Sequence, residues 1–140
     1  MNAGHCRFYG FIEERLAMNV KNEIVKSGNV SLEHFYTDEE PNDTKLLFIH
    51  RAGHGSWMWK NFLSYFAQKN YDSWALNLRG HHLSDPVHDW AEVGMKEYLE
   101  DIDRAVQGIG DNIVLIGHSM SGLLILKSIH PSPRAIRTSA

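Results

Sequence analysis

The sequence predicts an α/β fold with a mostly parallel sheet, helices on both faces and an N-terminal β-hairpin. Residues 46–49 and 113–116 are continuous apolar runs, and residues 73–78 form a third strand-like segment. Such runs are typical of strands covered on both faces. Segments with helical spacing of apolar residues alternate with these strands. Right-handed crossovers then place the carboxyl ends of the strands at one edge, where such folds carry their chemistry.

The composition limits the function classes. The 140 residues, 43% of them hydrophobic, suit one folded domain. A net charge of −3 provides no strong positive field, so nucleic acid and anionic lipid are not expected partners. Cys6 is the single cysteine, so no internal disulfide can form. No apolar run approaches the ~20 residues of a membrane span, and residues 1–18 lack a signal-peptide core. A cytoplasmic location is therefore expected.

Residues 1–20 are interpreted as an N-terminal extension. Ile12, Leu16 and Val20 recur at helical spacing, so the extension is either irregular or includes one short amphipathic helix. The hairpin follows, with strands at residues 22–26 and 30–36 around a Ser-Gly-Asn turn. Residues 30–36 alternate in polarity, which predicts a strand with only one buried face.

Three helices are predicted between and after the apolar strands. Ser56 is expected to cap a helix over residues 57–69, and a second helix covers residues 94–109 until glycines end it. A third helix is predicted over residues 123–129. Residues 134–140 show no strong pattern.

Three loops leave the edge where the strands have their carboxyl ends, at residues 50–56, 79–88 and 117–122. The loop at residues 117–122 is the most informative. An apolar strand ends at Gly117, and a helix begins almost at once. Such a tight junction forces strained backbone angles on the residue at its tip, Ser119, and exposes its hydroxyl. Small residues must flank that tip, as Gly117, Ser121 and Gly122 do. The helix N-terminus adds free N–H groups, so the segment has the parts that an acyl-transfer nucleophile needs.

The segment Gly117-His118-Ser119-Met120-Ser121-Gly122 resembles the nucleophile elbow of the α/β-hydrolase family, with Ser121 where the motif has glycine. Residues 47–50 with Ala52-Gly53 resemble the family's oxyanion strand and loop, and residues 77–85 resemble its next strand and loop. These ordered motifs extend the resemblance over about residues 20–129. Met18 is accordingly a candidate for the natural first residue, since nothing before it fits the family layout.

The resemblance implies roles for individual residues. Ser119 is the expected nucleophile of a serine hydrolase acting on carboxylic esters or related acyl compounds. The backbone N–H groups of Met120 and Ala52 are the expected oxyanion donors. Further residues of these loops are expected in the substrate pocket, and they are His50, Arg51, His118 and Trp57.

Two positions depart from the glycines that the family usually has, and they are Arg51 and His82. Glycine permits positive φ, so a side chain at either position predicts strain if the native φ is positive. An arginine also places a long cationic chain at the mouth of the oxyanion pocket.

The larger departure concerns the rest of the family's triad, an acid and a histidine that follow the serine. The 21 residues after Ser119 contain one histidine, His130, and no Asp or Glu. His130 ends the predicted third helix about 15 Å from Ser119, too far to act as its base. Residues 21–140 are therefore expected to be a single truncated domain, an incomplete α/β-hydrolase fold lacking its C-terminal strands.

Truncation leaves two hypotheses open. The alternative to a serine hydrolase is a catalytically inert fragment without the Asp and His of the triad. The outer edge of the strand at residues 113–116 would be unpaired, which predicts self-association. The nine histidines show no metal-ligand spacing, so neither a metal nor another cofactor is expected, and the expected partner is a small-molecule acyl substrate.

Overall fold

The computed structural model describes residues 19–129 and 137–138, which form one six-stranded sheet with three α-helices. The strand order is β1-β2-β4-β3-β5-β6. The strands are β1 (Lys21–Ser27), β2 (Val30–Tyr36), β3 (Lys45–Ile49), β4 (Ser73–Asn77), β5 (Ile113–Gly117) and β6 (Arg137–Thr138). The helices are α1 (Lys60–Ala67), α2 (Met95–Ile109) and α3 (Met120–Ser128). Two short 3-10 turns, Ser56–Trp59 and Trp90–Glu92, precede α1 and α2.

The sheet is parallel at its centre and antiparallel at the hairpin, which confirms the predicted fold class. β3 lies between β4 and β5, and both pairings are parallel. β1 pairs antiparallel with β2, which in turn pairs antiparallel with β4. One face packs on α2 and α3 through residues such as Ile102 and Leu124. The other face packs on α1, where Leu63 covers Phe48 and Ala75.

The prediction that β2 is buried on only one face is wrong. Six of its seven residues are buried, because both faces of the sheet are covered at this strand. The polar residues Ser31 and Glu33, which produce the alternation, are buried too, and so is His34. The ring of His34 stacks on Trp74 at 3.7 Å, and its nitrogens lie 3.1 Å from carboxylate oxygens of Glu23 and Asp72. Alternating polarity therefore does not indicate a solvent-facing side here.

The helix boundaries differ from the predictions at two places. Ser56 does not cap α1, because it lies in the 3-10 turn that precedes the helix, and its backbone N–H donates to Asn77 Oδ1 at 2.6 Å. α3 begins at Met120, three residues earlier than predicted. The second helix agrees closely with its prediction and ends at Ile109, although Gly108 is inside it and only Gly110, with a φ of 105°, follows it.

The outer edge of β5 is partly covered, which corrects the expectation that it is open. Arg137 and Thr138 pair in parallel with Val114 and Leu115. Two residues are too few to show a periodic pattern, so the sequence could not predict β6. Self-association through the remaining edge stays a prediction, as does the division at residue 20 into an extension and a truncated domain.

The possible N-terminal helix over Ile12 and Leu16 lies outside the described residues, whereas Val20 packs against the core beside α1. Within the part of the chain that the structure describes, no helix has the length and apolar character to cross a membrane.

Candidate active site

The junction between β5 and α3 contains only two residues. β5 ends at Gly117 and α3 begins at Met120, so His118 and Ser119 make the whole connection. Ser119 has a φ of 59° and a ψ of −118°, and it is exposed. These angles are sparsely populated for a residue with a side chain and cost about 1–3 kcal/mol. The strained junction expected from the sequence is therefore present, with the hydroxyl-bearing residue at its tip.

Gly117 is required at this junction by its surroundings. A Cβ at this position would lie 2.6 Å from Ile125 Cδ1 and 2.8 Å from the carbonyl carbon of Ser121. Gly122 is different, since nothing lies within 4 Å of a Cβ added there. The prediction that Gly122 has to be small is therefore wrong, because its missing side chain would point into open space.

Ser121 is fully buried, and its Oγ donates to the backbone carbonyl oxygen of His50. The serine that replaces the glycine of the motif thus connects the first turn of α3 to the loop after β3. This hydrogen bond holds the two candidate oxyanion segments together.

The backbone N–H groups of Met120 and Ala52 have no backbone acceptor among the described residues. The N–H groups of Ser121 and Gly122 donate to the carbonyls of His118 and Ser119, but that of Met120 makes no such bond. The N–H of Ala52 is likewise without a backbone acceptor. A helix N-terminus carries partial positive charge, so a free N–H at Met120 suits a developing oxyanion.

The loop at residues 50–56 takes its left-handed turn at Gly53, where φ is 69°, and not at Arg51. Arg51 therefore carries none of the strain that a positive φ would impose. His82 does carry it, with a φ of 45°.

His50 lies beneath the loops instead of lining an open pocket. It is fully buried, its Nδ1 lies 2.7 Å from the carbonyl oxygen of Arg51, and its Nε2 accepts from the N–H of Leu78 at 3.1 Å. Burial lowers the pKa of His50 from 6.5 to about 4. The imidazole is therefore neutral, with Nδ1–H donating to Arg51, and it connects the ends of β3 and β4.

The other predicted pocket residues reach the surface. Arg51 and His118 are exposed, and Trp57 is 48% exposed. The ring of His54 stacks on Trp57 with centroids 5.1 Å apart, and His54 Nδ1 accepts from Arg51 Nε at 3.2 Å. The sequence analysis did not assign a role to His54, because its contacts become visible only when the loop conformation is known.

Polar contacts that the sequence analysis did not identify hold the neighbouring loops. Asn77 is fully buried, and besides its bond from Ser56 it donates to Ser31 Oγ at 3.1 Å. The carboxylate of Asp101, also fully buried, accepts from the backbone N–H and the guanidinium of Arg79. The role of Asn77 could have been suspected from the sequence, because it is a polar residue at the end of an apolar strand. Nothing in the sequence distinguishes Asp101 from the other acidic residues of its helix.

Two cavities lie away from the elbow. One of about 220 Å³ lies between α2 and α3 and is lined by residues that include Ile102 and Lys127. Another of about 520 Å³ lies beside the loop after β4, and its lining includes five acidic residues between positions 85 and 100 together with Arg79. Neither cavity is lined by Ser119 or Arg51. Ser119 and Arg51 are both exposed, so the candidate site lies at the surface of the described residues.

These features define a protein with an open α/β sheet and a strained serine at the carboxyl end of its central strands. Comparison with known proteins agrees, since the model of the "Alpha/beta hydrolase family" matches residues 46–138. The chain belongs to the α/β-hydrolase family.

Particular relatives resemble parts of the chain. "Probable esterase PIR7A" from Oryza sativa subsp. indica is 28% identical over 97 residues, which are 67% of this chain and 36% of that protein. The thioesterase domain from the curacin biosynthetic pathway has a TM-score of 0.71 at 24% identity, covering 84% of this chain and 42% of that one. Epoxide hydrolase VrEH1 from Vigna radiata has a TM-score of 0.68 at 14% identity, covering 85% of this chain and 38% of that one.

The two structural likenesses show the fold alone. The chain spans about a third of the length of the rice relative.

The crowding at Gly117 leads to a prediction about stability. Gly117→Ala is expected to lower the free energy of unfolding by about 2–3 kcal/mol, because its Cβ overlaps backbone atoms that cannot move away. The control is Gly122→Ala, which fills open space in a helix and is expected to raise that free energy by about 0.5–1 kcal/mol. Urea denaturation of both variants tests this. Equal effects of the two alanines would contradict it.

The burial of His50 leads to a prediction about pH. The native state resists protonation down to a pKa of about 4, whereas the unfolded chain takes up the proton near 6.5. This contribution to stability is therefore complete above pH 6.5 and is lost as the pH falls towards 4, by about 3 kcal/mol.

Urea denaturation between pH 7.5 and 4 measures the effect. His50→Gln is expected to show a shallower loss of stability than the wild type, whereas His88→Gln, which changes an exposed histidine, keeps the wild-type slope. If the free energy of unfolding of His50→Gln changed with pH as steeply as that of the wild type, His50 would have the same pKa in the native and unfolded states.

Proposed function

We propose that this chain carries the nucleophile of a serine hydrolase that acts on carboxylic esters or related acyl compounds. The observation that carries the proposal is the backbone of Ser119, whose positive φ holds an exposed serine at a two-residue junction. A protein gains no stability from this strain, and strained residues concentrate at functional sites. A capping serine would instead have extended backbone angles and bond to its helix, and Ser119 makes no side-chain capping bond to α3.

The proposed oxyanion hole consists of the N–H groups of Met120 and Ala52. Neither has a backbone acceptor among the described residues, and the bond from Ser121 Oγ to His50 holds their two segments together. In the proposed step, Ser119 Oγ forms a bond to the carbonyl carbon while the π electrons move to the carbonyl oxygen. That oxygen then accepts hydrogen bonds from the two N–H groups, and its electrons return to expel the leaving group.

The proton of the Ser119 hydroxyl needs a base. Within residues 19–129 and 137–138, no histidine or carboxylate forms a hydrogen bond to Ser119 Oγ. We therefore propose that the base that accepts this proton is not among the described residues. The rice relative named a probable esterase supports an acyl substrate.

The second candidate is a chain that folds into the elbow without catalysing turnover. The observation that favours it is the same absence of a base in contact with Ser119 among the described residues. The two candidates differ in whether the Ser119 oxygen reacts with an activated electrophile.

A fluorophosphonate probe tests the nucleophile directly. The chain is expected to be labelled at one site, Ser119, because the strained turn exposes the oxygen beside free N–H donors. Labelling is expected to be lost in Ser119→Ala and retained in Ser128→Ala, which removes a hydroxyl of the same helix that donates to Ile125. Intact-protein mass spectrometry and peptide mapping measure the result.

Circular dichroism of both variants controls for folding. Equal labelling of the wild type and Ser119→Ala, or no labelling of a folded wild-type chain, would contradict the proposed nucleophile. Labelling without turnover of p-nitrophenyl acetate would support a reactive Ser119 whose base is not among the described residues.

A further inference from the structure

The guanidinium of Arg51 has donor groups that no described residue uses. Arg51 is exposed, and the hydrogen bond that its side chain makes among the described residues runs from Nε to His54 Nδ1 at 3.2 Å. No carboxylate of the described residues lies within 4.0 Å of it. Arg79, by contrast, is engaged by the carboxylates of Asp101 and Glu100. The two terminal amino groups of Arg51 are thus available to a ligand.

The Arg51 side chain is held in a defined position. A guanidinium is always protonated, so Nε donates and His54 Nδ1 accepts, which places the proton of a neutral His54 on Nε2. His54 Nδ1 also lies 3.3 Å from the carbonyl oxygen of Ala52, but it cannot donate there while it accepts from Arg51. The His54 ring stacks on Trp57 with an interplanar angle of 23°. Less entropy is lost on ligand binding when a donor is positioned in advance.

Arg51 lies on the segment that contacts the elbow. Ile49 pairs with Gly117 across the sheet, and the carbonyl of His50 accepts from Ser121. Ala52, the next residue, provides one of the proposed oxyanion donors. Arg51 is therefore the immediate neighbour in sequence of a proposed oxyanion donor.

The titratable side chains whose charges affect His50, the residue after β3, are also bases. The groups whose charges bear on His50 are the imidazoles of His54, His81 and His82, and each of them disfavours a positive charge there. No carboxylate is among the groups that act on His50. Among the described residues, the side-chain charges that bear on His50 are therefore those of other bases.

We propose that Arg51 binds a carboxylate of the substrate, so that the acyl compounds processed at Ser119 carry a second, ionised acid group. This inference rests on the proposed function and names its substrate class. A guanidinium presents two parallel N–H donors that match a carboxylate. The single positive charge of Arg51 balances the single negative charge of a carboxylate. A phosphate monoester carries a charge of about −1.5 to −2 and would need more donors.

The test measures binding in Ser119→Ala, so that no reaction is needed. Monomethyl succinate, which carries one ester and one carboxylate, is titrated and followed by amide chemical shifts in NMR. Dimethyl succinate is the uncharged comparison, and methyl phosphate is the alternative anion. Monomethyl succinate is expected to bind about tenfold more tightly than dimethyl succinate, with shifts at residues 51–54 and 118–121.

Variants of Arg51 in the same background identify the donor. Arg51→Met keeps most of the apolar stem and is expected to abolish the tenfold preference, and Arg51→Lys is expected to keep only part of it, because the charge remains without the planar fork. Lys60→Met is the matched control, since it removes an exposed positive charge from the start of α1 and is expected to leave the preference intact.

Several results would overturn the inference. Equal affinities for monomethyl and dimethyl succinate would do so, as would an unchanged preference for monomethyl succinate in Arg51→Met. If Lys60→Met lost that preference as much as Arg51→Met did, the preference would come from the general positive charge of this surface and not from Arg51. Tighter binding of methyl phosphate would refute the carboxylate. Failure of the proposed function is distinguishable, because a chain that is not labelled at Ser119 but keeps Arg51-dependent binding would refute the nucleophile alone.

Discussion

The connection between β5 and α3 constrains everything around it, because two residues have to turn a strand into a helix. A chain that short cannot reverse direction with ordinary backbone angles, so the residue at the tip takes a positive φ. The turn also brings α3 so close to β5 that a side chain at Gly117 would overlap the helix. The strain at Ser119 and the absence of a side chain at Gly117 are two consequences of the same short connection.

A series of hydrogen bonds connects this junction to the loops that follow β3 and β4. Ser121 bonds to the carbonyl of His50, and the ring of His50 bonds to the backbone of Leu78 at the end of β4. The next residue, Arg79, is held by the buried carboxylate of Asp101 on α2. The candidate site is therefore supported by the ends of the core strands and by a helix, which is the kind of support that a preorganised site requires.

Much of this arrangement could be predicted from the sequence, because it follows from strong local signals. The apolar runs predicted the central strands, and their alternation with helices predicted one edge that gathers the loops. The strained angles of Ser119 follow from the short distance between an apolar strand and a helix. Each of these features depends on residues that are close together in the chain.

The features that could not be predicted depend on contacts between distant segments. β2 is buried on both faces because both sides of the sheet are covered at this strand, and His34 contacts Glu23, Asp72 and Trp74 of other strands and loops. Ser56 had the right residue type for a cap, but it lies in the 3-10 turn before α1, where its N–H donates to Asn77 of the distant strand β4.

The free space beside Gly122 and the free donors of Arg51 also depend on the tertiary arrangement. A sequence motif can identify the residues of a site. Which of their hydrogen-bond donors lack a partner, and where there is room for a side chain, can be seen only in the folded structure.

A crystal structure of the chain after reaction with a phosphonate inhibitor tests the central claim most directly, because the adduct copies the tetrahedral geometry of acyl transfer. The account predicts phosphorus bonded to Ser119 Oγ and the phosphoryl oxygen accepting hydrogen bonds from the N–H groups of Met120 and Ala52. An adduct on another residue, or a phosphoryl oxygen directed into solvent away from both N–H groups, would contradict it.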